Sequence, residues 1–208
     1  MKGLLLKDLY MTKKYCRTYL LIAAVFLAVS FVNSENLFFM FYLCMIAGML
    51  PVTLLGYDER SKWDAYCGTL PYSKTQIVSA KYLTALLAML CMLVLTAVAQ
   101  AVRMITGGSF MWNDYLELMA IFLTVSLAAP SITLPFMFRY GVEKGRLAYY
   151  VMIGFVCAVG VAASGIFKEH LQMTAGFPAL LLLCAGGVLL FAFSWYLSVV
   201  FYKAREGK

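Results

Sequence analysis

The chain has 208 residues, 63% of them apolar and 13% charged, with a net charge of +7. Soluble domains carry roughly 45–50% apolar and about 25% charged residues, so a water-soluble fold is excluded, and spans of about 20 residues each take up most of the length. The lysines and arginines fall in short clusters between apolar runs, as in loops beside a membrane and unlike a nucleic-acid-binding face.

The amino terminus places basic residues ahead of an apolar stretch, like a signal peptide. No small-residue cleavage site follows and further spans do, so the segment is expected to be retained. Six spans are predicted, at 19–32, 37–55, 82–105, 116–138, 147–167 and 178–202. The first is short, with Arg17 reaching back to the headgroups along its flexible stem. The last exceeds about 30 Å of hydrocarbon at 1.5 Å per residue and is expected to tilt or emerge. Continuous apolar runs favour helices over barrel strands, which would alternate.

Pro130 and Pro135 predict a kink or unwound turn in the fourth span, because each removes a backbone donor. In the fifth span Gly154, Ala158, Ala162 and Gly165 recur at spacings of four and three. Such small residues let helices approach closely, within the chain or between two copies. Fifteen lysines and arginines lie on one side of the spans and two, Arg103 and Lys168, on the other. The first side is therefore expected to be cytoplasmic, with both termini inside.

Inside the spans the chain offers little reactive chemistry. Within the predicted spans there is no aspartate or lysine, and the one glutamate, Glu117, sits at the outer end of the fourth, which argues against an ion-coupled pump. His170, the sole histidine, sits in an outer loop, which disfavours a histidine metal site or catalytic triad. Gly107, Gly108 and Ser109 resemble a glycine-rich loop only superficially, since no phosphate-cradling Walker segment is present. Cys44, Cys91, Cys157 and Cys184 read as thiols within apolar runs. Thr53, Thr96, Gln100, Thr124, Ser126, Ser131, Thr133, Ser164, Ser194 and Ser198 are expected to hydrogen-bond between helices.

The loop 57–81 stands apart. Asp58, Glu59, Arg60, Trp63, Asp64 and Tyr66 mix charges with aromatics, and Gly68 and Pro71 stop the run. A short surface helix is expected there, for use either at the headgroups or against a cytoplasmic partner.

At this loop the sequence resembles the small permease subunits of ABC-2 type exporters, including those that export phenol-soluble modulin peptides. The opening Met1-Lys2-Gly3-Leu4-Leu5-Leu6-Lys7-Asp8-Leu9 is similar to theirs, as are Asp58, Glu59, Trp63, Tyr66, Leu70 and Pro71. A third similar stretch is Leu134-Pro135-Phe136-Met137-Phe138-Arg139-Tyr140-Gly141, followed by Glu143-Lys144-Gly145-Arg146. The resemblance implies an all-α integral membrane fold of type V exporter kind. Residues 1–208 would form one permease domain, with 1–17 along the inner surface, six spans and a coupling helix within 57–81. It implies two separate ATPase subunits that bind ATP and magnesium, so this chain needs no cofactor of its own and is not itself an enzyme. It also implies a second permease copy, identical or paralogous, and a cargo of amphipathic peptides or lipophilic molecules.

Asp58, Glu59, Arg60, Trp63 and Tyr66 would dock on the ATPase, and Glu143, Lys144 and Arg146 would add a second contact. Pro130 and Pro135 would serve as a kink or gate. The competing expectation is an immunity or sensor protein that sequesters a peptide without transporting it. A membrane-embedded enzyme lacks a convergent set of nucleophile, base or metal ligands.

Overall fold

The computed structural model describes residues 2–15, 17–32, 38–67, 69–108, 111–166 and 177–205. Over these the chain is all helical: α1 (Lys2–Tyr15), α2 (Arg17–Val32), α3 (Phe38–Arg60), α4 (Trp63–Cys67), α5 (Lys74–Thr106), α6 (Trp112–Tyr140), α7 (Val142–Ile166) and α8 (Phe177–Arg205). Among the described residues four helices are long and apolar enough to cross a bilayer, those at Met40–Arg60, Lys74–Thr106, Trp112–Tyr140 and Leu180–Ala204. Counting the bent pair α1 and α2, which meet at 60°, as one span would make five.

Each predicted span falls on a helix, but the helices outrun the apolar windows. Hydropathy stops at the first charged residues, whereas the backbone ladder continues as long as side chains find partners. Thus α3 runs on to Arg60 and α5 starts at Lys74, eight residues before the apolar run. At about 1.5 Å per residue, α5's 33 residues reach about 50 Å.

Its start is set locally. Ser73 Oγ accepts from the Gln76 backbone N–H, and Gln76 Oε1 accepts from the Ser73 N–H, a reciprocal capping box. The surface helix expected at 58–66 is accordingly shorter and later. Asp58, Glu59 and Arg60 close α3, Lys62 turns the chain at φ 54°, and only α4 stands free of both neighbours.

The helix α6 forms the centre, packing on α8, α7, α3 and α5. Close approach to α3 depends on Gly48, where a Cβ would lie 2.5 Å from that of Ala129. No unwound turn interrupts α6, which runs through Pro130 and Pro135 from Trp112 to Tyr140. Ser131 and Thr133 donate back to the Leu127 and Ala129 carbonyls, anchoring the turns beside the prolines. A third proline, Pro51, is accommodated inside α3.

Two apolar clusters organise the bundle. One, rich in methionine, joins α2, α3, α5 and α6 through Ala23, Met40, Leu43, Met89, Met92 and Phe122. The other lies at the end occupied by α4 and gathers Leu4, Cys67, Val78, Leu134, Phe138 and Tyr202. The polar side chains divide. Tyr82 pairs with Ser194 (2.6 Å) and Ser198 (2.7 Å), and Thr53 with Tyr19 (2.8 Å), each between helices. Thr96, Thr124, Ser126, Ser131 and Thr133 instead donate to carbonyls of their own helix. Ser164, Cys157 and His170 lie outside the described side chains.

Candidate functional site

The most concentrated chemistry lies at the α4 end and is ionic. Asp8 of α1, Asp58 of α3 and Lys81 of α5 are 1%, 3% and 5% exposed. Burying isolated charges would be prohibitive, so they must be paired. Lys81 Nζ donates to Asp8 Oδ1 at 2.7 Å and makes an ion contact with Asp58 Oδ2 at 2.5 Å, without the direction of a hydrogen bond. Lys7 Nζ donates to Asp58 Oδ1 at 2.7 Å and lies 3.3 Å from Asp8 Oδ1. Thr84 donates to Asp8 Oδ2 at 3.3 Å. Two lysines and two aspartates form a formally neutral quartet that ties together three helices.

The quartet reaches α4 through one more contact. Lys7 Nζ sits 4.0 Å from the centroid of the Trp63 ring, within cation–π range. Trp63 in turn stacks near Tyr66, with centroids 5.4 Å apart. At the other end of α4, Cys67 is buried in the apolar cluster shared with α1, α5, α6 and α8.

A second joint forms where α3 meets α7. Glu59 Oε2 accepts from the Val142 backbone N–H at 3.2 Å, so a carboxylate from α3 caps α7. An anion suits that place because helix N-termini carry unsatisfied donors and a positive dipole end. Gly141, at φ 89°, makes the turn from α6 into α7 that no other residue type adopts freely. Around this joint a notch of about 320 Å³ is lined by Glu59, Arg60, Glu143, Lys144 and Arg146 among others. Gly56 leaves room for Arg146, whose Nη2 would lie 2.8 Å from a Cβ there.

Of the residues singled out from sequence, Glu59, Arg60, Glu143, Lys144 and Arg146 therefore share one surface, and Trp63 and Tyr66 share another on α4. Asp58 lies inward, its carboxylate facing Lys7 and Lys81 in place of solvent. Pro130 and Pro135 are buried in α6. Sequence reading counted Lys7 and Lys81 among the inner-side cations and placed Lys7 and Asp8 in the similar opening segment, but assigned none of them, nor Thr84, to a site. The available signal was an aspartate inside a leucine-rich opening and a lysine directly bordering an apolar run. Among the described residues no group of three histidine, cysteine or acidic side chains could hold a metal.

Comparison with known proteins gives one positive finding. Residues 3–203 match the family described as ABC-2 family transporter protein. No curated protein and no solved structure matches the chain.

Proposed function

The chain belongs to the ABC-2 family of transporters, and from that premise we propose that it is the permease of an ATP-driven exporter whose energy enters at the α4 end. Family membership makes it the multi-pass membrane component of an ABC transporter, partnered by an ATPase subunit. In the fuller reading α2, α3, α5, α6, α7 and α8 are the six spans of a single permease domain. The helix α1 lies along the inner surface of the plasma membrane. Exposed Leu6, Leu9 and Tyr10 on α1, beside Lys13 and Lys14, suit a headgroup boundary. The excess of cations at this end supports a cytoplasmic position for it and for both termini.

The observation that carries the reading is the continuity from α4 to the quartet. A partner pressing on α4 would move Trp63 and Cys67, and through Lys7 and the apolar cluster would move α1, α3 and α5 together. Two ATPase copies closing on ATP and magnesium would thus rock two permease bundles as rigid bodies. Glu59, Arg60, Glu143 and Arg146 would form the second contact, with Lys144 at its membrane edge. Amphipathic peptides or lipophilic molecules would leave between the two permeases.

The test is co-purification from native membranes, followed by ATPase assay of the complex with Trp63→Ala and Glu59→Gln. Recovery of a Walker-containing subunit and a several-fold loss of transport-linked hydrolysis in both variants are expected. Full activity in both would sink the coupling assignment.

A further inference from the structure

The outward face of α6 carries a ridge, Ile132, Phe136 and Tyr140, one residue per turn, each 42–48% exposed. A groove runs along each side of it. The groove toward α8 holds about 370 Å³ and is completed by Pro135, Leu197 and Phe201; the groove toward α7 holds about 740 Å³ and is completed by Leu147, Val151 and Met152. Both are overwhelmingly apolar, and both end at a cation. Arg139 closes the first and Lys144 the second.

The two cations converge on the same ring. The Arg139 guanidinium lies 5.1 Å from the Tyr140 centroid and 4.8 Å from that of Phe201, and Lys144 Nζ lies 5.9 Å from Tyr140. Neither has an acidic partner in an ion pair among the described residues. Arg139 is thus held between two aromatic faces, and Lys144 stands at the edge of one of them.

We propose that this face binds a two-tailed anionic phospholipid. Its acyl chains straddle the Ile132–Tyr140 ridge and its phosphate lies between Arg139 and Lys144. The argument is charge complementarity combined with shape: a single ridge with an apolar groove on each flank matches two tails joined at one headgroup. Exposed grooves on spanning helices are also filled by the bilayer in any case, so the cations select among lipids and do not recruit one from water. Assignment to the inner leaflet rests on the orientation reading above.

The experiment is native mass spectrometry of the full chain released from nanodiscs of phosphatidylcholine containing a minority of phosphatidylglycerol. Wild type is expected to retain phosphatidylglycerol preferentially. Arg139→Gln and Lys144→Gln should each lower that preference by about fivefold, the worth of one cation near an anionic surface. Arg139→Lys with Lys144→Arg, which keeps both charges, should restore most of it. Equal retention of the two lipids by wild type, or undiminished selectivity in the double glutamine variant, would overturn the proposal. A lipid-free pair of chains covering the ridge would overturn it in favour of a second copy. None of these readouts involves an ATPase, so failure of the coupling assignment would leave the lipid result interpretable.

Discussion

Lys81 sits where a short lysine next to an apolar run would ordinarily count as one more loop cation. Its nitrogen is instead held by Asp8 and Asp58, residues 73 and 23 positions earlier in the chain. Replacing it by methionine leaves two buried carboxylates facing only Lys7. Breaking a buried pair from one side costs about 3–5 kcal/mol, so Lys81→Met is expected to lower the melting temperature in detergent markedly. Adding Asp58→Leu restores neutrality and should recover part of the loss, with a coupling of about 0.5–3 kcal/mol in a double-mutant cycle. Strict additivity of the two changes would mean that the quartet is not an energetic unit. Such a cluster could not be read from sequence, because the pairing is between distant segments. Charge counting treats every lysine as solvated, whereas Lys7 and Lys81 are neutralised in place.

At the scale of elements, the apolar spans were legible because lipid leaves backbone groups no partner outside the helix, and that constraint acts on any run of sufficient length. The ends were not legible in the same way. Whether α3 stops at Leu55 or Arg60 depends on Glu59 finding the α7 N-terminus, a tertiary contact. The start of α5 is the exception, since Ser73 and Gln76 announce a capping box three residues apart. Ser73→Ala removes the acceptor for the Gln76 N–H and is expected to cost about 1 kcal/mol. Its more telling effect should be local: faster hydrogen exchange at the first turn of α5, carried into α4 through the short connection between them. Unchanged exchange in α4 would show that Cys67 and Trp63 alone fix that helix. The sequence also led to a surface helix twice as long as α4, since the mixed charges of Asp58 to Arg60 look identical whether they end one helix or begin another.

For the whole molecule, the small-residue spacing in α7 left two uses open, and the packing now separates them at the described positions. Close helix approaches within the chain occur at Gly48 and Gly145, where an added Cβ would meet Ala129 and Met137 respectively. Gly154 meets nothing among the described atoms within 4 Å, and Ala158 is exposed. At Gly154 and Ala158, the described half of the stripe, small residues with no internal neighbour fit an approach by another helix from outside, as the proposed second permease copy would make. Leucine at Gly154 raises helix propensity and fills no internal space, so the monomer fold should be preserved. On the proposal that two copies pair through this face, Gly154→Leu is expected to shift the purified permease from dimer toward monomer by light scattering, with helicity unchanged. Leu182→Trp, at an exposed position on α8, should leave the dimer intact. The reverse pattern, with dimers lost on α8 and kept on α7, would move the second copy to the α8 face.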